Sequence, residues 1–218
     1  MTTFPGSPRV LKGGIVLLDP DTAAVQRVIA LQYNAEKLTR SLQVQGAGDG
    51  GDRLEALRLK GPPIETIHLE AEIDAADQLE FPKQNRLTVE NGIQPQLSAL
   101  ETIVYPSSTQ IQTNDQLASF GTLEIVQTEA PLTLMVWSRT RVLPVRVTEF
   151  SIVEEAFDPA LNPIRATVTL GMRVLTANDL GPGSKGASLF MAHHRHKEQL
   201  AAANGNAALS VLGIGSIR

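Results

Sequence analysis

The sequence has no cysteine, a single tryptophan and only 4% aromatic residues. Without cysteine there is no disulfide framework, no thiolate metal site and no cysteine nucleophile, and folding needs no oxidising compartment. That suits synthesis and assembly in the cytoplasm. So few aromatic rings leave the core to Leu, Ile and Val, and Trp137 alone cannot make the stacked platforms of a sugar-binding groove. Long apolar runs are also missing. No stretch nears the roughly 20 residues of a membrane helix, and Met1 to Val10 lacks the basic start and apolar run of a secretory signal. Positive charge is not in excess either, with 19 Lys+Arg against 23 Asp+Glu. A net charge of −4 draws in neither nucleic acid nor an anionic membrane, so no nucleic-acid partner and no direct membrane insertion are expected.

Catalytic motifs are equally sparse. No serine sits in a Gly-x-Ser-x-Gly elbow. The glycines of Gly46 to Asp52 are followed by no Lys-Ser or Lys-Thr, so they read as a flexible loop rather than a phosphate cradle. Paired carboxylates at Glu70 and Glu72, or Glu154 and Glu155, have the residue type for glycoside hydrolysis but no sugar platform beside them. His193, His194 and His196 form the one histidine cluster. On a helix His193 and His196 share a face and could hold a metal, with Glu198 the one carboxylate nearby and no His-Glu-x-x-His spacing. A β-sandwich binding module or a metal-assisted hydrolase built on His193 and His196 is therefore the alternative of a different class. The main reading has no enzyme activity, no metal and no cofactor.

What is present is alternation. From Ile164 to Val174, Ile164, Ala166, Val168, Leu170, Met172 and Val174 alternate with Arg165, Thr167, Thr169, Gly171 and Arg173, the period of a strand with one buried face. Upstream, Leu143, Val145 and Val147 lie on one parity and Phe150 and Ile152 on the other, which predicts a bulge or bend near Thr148 and Glu149. Asp158-Pro159 and Asn162-Pro163 turn the chain between these runs. In the first half, Ile15 to Leu18 and Val28 to Tyr33 read as a hairpin about Asp19-Pro20-Asp21. In PIETIHLEAEID, Ile67, Leu69, Ala71 and Ile73 share one face, and His68, Glu70, Glu72 and Asp74 share the other. That acidic row reads as a solvated face, or one paired across a subunit boundary. In AEKLTRSLQVQ the helical spacing of Leu38 and Leu42 competes with the strand spacing of Leu42 and Val44, and reads as a helical turn followed by a strand.

Ile93, Leu97, Leu100, Ile103 and Val104 predict one amphipathic helix over about Pro95 to Tyr105, its stripe plugging an open side of the sheet. The polar run TQIQTNDQLASFG reads as a surface loop leading to a strand over Thr122 to Thr128. Leu180-Gly181-Pro182-Gly183 breaks the composition. Beyond it, Ser188 to Ala203 has good helix formers with Ser184 or Ser188 as a cap. At 218 residues the chain suits one domain with an appendage: a β domain over 1–180 and a C-terminal docking tail over 181–218. Leu189, Phe190, Leu200, Leu209, Leu212 and Ile214 are the tail's candidate docking residues. The fold class expected is mainly β, a barrel or sandwich with one flanking helix and a helical or extended tail.

Three segments in order resemble the tube, tube-initiator and baseplate hub-adaptor proteins of contractile injection systems, which are phage-tail-like machines. The first is Ile15 to Asp19 with Gln32 to Leu38, where Ala35 replaces the usual proline. The second is Gly61 to Ile67 with Leu69 to Asp74. The third is Pro131 to Ser138, Pro144 to Val147 and Asn162 to Ala166, where Ser138 stands at a common glycine. The resemblance spans roughly residues 10–180. It implies a tube-protein-like barrel in a homo-hexameric ring, with an inner-tube protein, a spike protein and baseplate or sheath components as partners, inside a particle that is retained, membrane-anchored or released. It also makes Trp137, Val145, Val147, Ile164, Ala166, Val168 and Leu170 the residues of core and assembly. Family adaptors often carry a C-terminal peptidoglycan-binding module, which this chain lacks, while plain tube subunits need no such tail. The resemblance therefore favours a tube initiator or hub adaptor, with the repeating inner-tube subunit as the alternative.

Overall fold

The computed structural model describes residues 11–46, 58–119, 130–205, 209–214 and 216. The expected strand over Thr122 to Thr128 falls outside them, as do most of the Gly46 to Asp52 loop and the N-terminal lead-in. The described chain is mainly β. Its seven strands are β1 (Gly14–Leu18), β2 (Val25–Ala30), β3 (Leu38–Gln43), β4 (Ile64–Asp74), β5 (Leu132–Ser138), β6 (Arg141–Phe157) and β7 (Pro163–Val174). They form one sheet in the order β2-β1-β5-β6-β7-β4-β3, and every pairing is antiparallel.

Alternation sets the register. Ile67, Leu69, Ala71 and Ile73 of β4 lie opposite Met172, Leu170, Val168 and Ala166 of β7, and all eight are buried in one core with Leu143 and Val145. A one-residue slip would turn that whole set to water. The phase change read near Thr148 is a bulge, where the β6–β7 register shifts between Val147 and Glu149. The corner at Asp158 to Asn162 joins the two longest strands. Asp158 holds it through the N–H groups of Ala160 and Asn162, each at 2.8 Å. No helical turn precedes β3, because Asn34 is committed elsewhere: its side chain accepts from Gly13 N–H and donates to Leu11 O.

Among the described residues between β4 and β5 lie four helices: α1 (Ala76–Leu79), α2 (Arg86–Asn91), α3 (Gln94–Glu101) and α4 (Ser108–Ser119). The expected helix is α3, with Pro95 in its first turn and Ile93, Leu97 and Leu100 in the core. The polar run read as a loop is α4, which buries none of its residues; a helix with no buried face leaves no apolar period to read.

β2 and β4 are separated by four strands in the sheet order, yet the Gln32 side chain donates to Asp74 O at 2.6 Å and accepts from Asp74 N–H at 3.0 Å. The sheet therefore curls until its two sides nearly meet, and α3 lies against the seam. Gly92, at φ 58, lets the α2–α3 junction close onto the start of β7. A Cβ there would sit 2.1 Å from Pro163 O. The last helix, α5 (Lys185–Ala203), is capped by Ser184, whose hydroxyl accepts from Ala187 N–H. It lies across β6 and drives Phe190 into the core. A short 3-10 turn follows at Leu209–Leu212.

Candidate assembly surfaces

Of the residues expected to carry core and assembly, Val145, Ala166, Val168 and Leu170 are fully buried. Val147 and Ile164 are half-buried against the same core, as is Trp137. Trp137 lies over Gly13, where a Cβ would come within 2.8 Å of its ring. These side chains hold the sheet in its curled shape, and the surfaces they support lie outside them. The six tail residues divide. Phe190 is buried and Leu189 half-buried on the chain's own sheet, whereas Leu200, Leu209, Leu212 and Ile214 are exposed.

Strand edges stand without a strand partner among the described residues, the side of β4 beyond Leu69 included. β2 and β3 end the sheet, and β5 pairs with β6 only up to Val145, leaving Arg146 to Phe157 open on that side. Apolar side chains stand on these edges: Val25 and Val28 of β2 are 62% and 65% exposed, Leu42 of β3 is 50% exposed, and Val153 of β6 is 55% exposed. Between β2 and α3 runs a groove of about 430 Å³ lined by Val28, Ala30, Leu87, Pro95, Ala99 and Leu100, with Arg27 at its rim. The guanidinium of Arg27 is held there by Ala99 O and the Thr102 hydroxyl.

The acidic row of β4 is largely tied within the subunit. Arg165 pairs with Asp74 at 2.7 Å and approaches Glu72 at 3.9 Å. His68 lies 3.6 Å from Glu149.

At the opposite end of β4 the inward-facing positions turn from apolar to charged. Glu65 shares the parity of Ile67, Arg40 lies opposite Ile67, and Arg141 precedes Leu143 by two. Glu65 is 4% exposed and accepts from Arg40 at 2.6 Å and from Lys197 of α5 at 3.2 Å. Burial pushes its carboxyl up, but the Arg40 hydrogen bond and the charges of Lys197 and Arg40 outweigh burial and hold it below its ordinary range. The sequence reading missed this site. The signal was there in parity: a glutamate two residues before Ile67 must face inward with it.

His193 sits under α5 beside this network, its Nδ1 at 3.2 Å from Thr140 O. Burial first, then the charges of Lys197 and Arg141, lower its pKa against the pull of that hydrogen bond. His194 stacks on Phe190 and lies 3.4 Å from Glu198. His196 and His193 line a shallow cavity of about 330 Å³ with Arg139 and Thr140. Among the described residues no group of three or more His, Cys, Asp or Glu is placed to hold a metal.

No family model matches the chain. No curated protein matches it. Among solved structures, it is similar to a chain in the tail of an empty gene transfer agent particle of C6 symmetry, with 10% identity and a TM-score of 0.30, covering 75% of this chain and 90% of that one. It is also similar to a chain in the virion of a native gene transfer agent particle, with 10% identity and a TM-score of 0.28, covering 74% and 90%. At these TM-scores neither likeness assigns a function.

Chemically, the described surfaces offer backbone donors and acceptors along open edges, apolar side chains beside them, and one charged cluster partly covered by a helix. They suit contact with other chains.

Proposed function

We propose that the chain is a non-enzymatic structural subunit of a phage-tail-like contractile injection particle. Six copies form a ring that joins the spike and baseplate to the inner tube. The observation that carries the reading is the set of open strand edges bearing exposed Val25, Val28, Leu42 and Val153. Unpaired edges with apolar side chains template pairing with further chains and are blunted in proteins that stay single. A closed ring removes them by using each edge once, through heterologous contacts that return to the starting subunit. The three-segment resemblance supplies the kind of particle.

The division into a β domain over 1–180 and a docking tail over 181–218 belongs to the same proposal. Leu189 and Phe190 anchor α5 to its own sheet, so contact with a neighbour falls to Leu200, Leu209, Leu212 and Ile214. This exposed tail favours a tube initiator or hub adaptor over the repeating tube subunit, and copy number decides between them. Quantitative mass spectrometry of assembled particles is expected to give one ring's worth of this chain, whereas many rings' worth would make it the tube protein. The metal-assisted alternative has a direct check: metal bound in stoichiometric amount to the purified protein, and lost in a His193→Ala, His196→Ala variant, would displace the structural reading.

A further inference from the structure

The tip of the β6–β7 hairpin carries a side chain that its own fold does not use. Leu161 sits at φ 66, a left-handed conformation strained for a leucine, and it is 79% exposed. The turn is locked around it. Leu161 N–H donates to Asp158 O at 2.9 Å. Asp158 also accepts from Ala160 and Asn162 N–H and from Asn162 Nδ2, and Asn162 Nδ2 reaches Glu90 O on α2 at 3.2 Å. Glycine or asparagine would take this backbone with less strain, so within the subunit the leucine adds strain and gains almost no burial. Phe157 stands half-exposed on the same hairpin. Together they form a rigid apolar knob.

The β2–α3 groove is its complement in shape class and charge. Its floor is apolar and its charged lining is Arg27 and Glu72, of which Glu72 already faces its own subunit's Arg165 at 3.9 Å, leaving Arg27 to meet the Glu154 and Glu155 exposed on the hairpin arm beside the knob. Knob and groove also lie at the same end of the subunit, because Asn162 ties the tip to α2 and Leu87 of α2 lines the groove. A planar ring sets that end of every copy at one level, which a contact between one copy's knob and the next copy's groove requires. We propose that Leu161, with Phe157, seats in the β2–α3 groove of a second copy of this chain. The inference rests on the ring reading and names its contact.

The absence of cysteine makes the test clean. Differently tagged Leu161→Cys and Val28→Cys full-length chains are co-expressed and oxidised, and the oligomeric fraction is run without reductant. A disulfide joining the two tags is expected, and none when Val28→Cys is replaced by Leu42→Cys on β3. The Leu161→Asn variant is expected to melt no lower than the wild type, and to assemble about tenfold more weakly. A wild-type ring that gives no Leu161–Val28 cross-link and is unaffected by Leu161→Asn overturns the contact while leaving the ring intact. A wild-type chain that stays monomeric overturns both.

Discussion

Glu65 is a carboxylate with a side chain only 6% exposed, held between Arg40 and Lys197, and it ties three elements that are distant in sequence: β3, β4 and α5. Removing it leaves two cations facing a desolvated site. Because Arg40 and Lys197 keep partial access to water, Glu65→Ala is expected to cost about 1–3 kcal/mol, read by chemical denaturation, while the exposed Glu70→Ala should change little. The same cluster sets a pH dependence. His193 has a folded pKa below its ordinary 6.5, so as the pH falls through that value the unfolded chain takes up the proton first and stability drops. Below the ordinary glutamate value of 4.5 the depressed Glu65 acts in the same direction, its contribution vanishing as the pH falls through its folded pKa. Thermal midpoints should therefore decline from about pH 7 to pH 5, and His193→Gln should remove that first decline. A flat profile over that range would contradict this account of His193. Of this network the sequence marked His193 alone, and as a metal candidate; Glu65, Arg40 and Lys197 look ordinary in sequence and meet only when the chain folds. Of those three, only Glu65 gave a sign, through its parity.

The elements were legible where one face is buried and opaque where none is. β4 and β7 announce themselves through strict alternation, and the β6 bulge through a change of parity, because burial on one side forces both patterns. α4 buries no residue, and β2 is exposed along almost its whole length, so neither has an apolar rhythm; β2 was read three residues late. The buried strands should also be the intolerant ones. Leu170→Ala, at a fully buried position, is expected to cost about 2–5 kcal/mol, and a ring should fail with it through loss of the curled sheet. Gly92→Ala should be at least as damaging, because the left-handed backbone and Pro163 O leave no room for a methyl group. Circular dichroism melts would check both, and a wild-type melting profile for either variant would contradict the packing described here.

At the scale of the molecule, the described fold is a curled sheet that has packed its apolar interior and left its margins open. The sequence patterns led to the interior, since burial writes itself into alternation. The margins stayed silent, because an edge strand is defined by what does not pair with it. In the proposed ring, the exposed edges, groove and tail become interior surface. The most direct measurement is electron microscopy of the full-length chain purified with its neighbours in the particle. Sixfold rings of this chain at the junction of spike and tube, with β2, β3 or the open stretch of β6 buried between copies, are the expected result. A monodisperse monomer, absent from assembled particles and with those edges still facing solvent, would contradict the account.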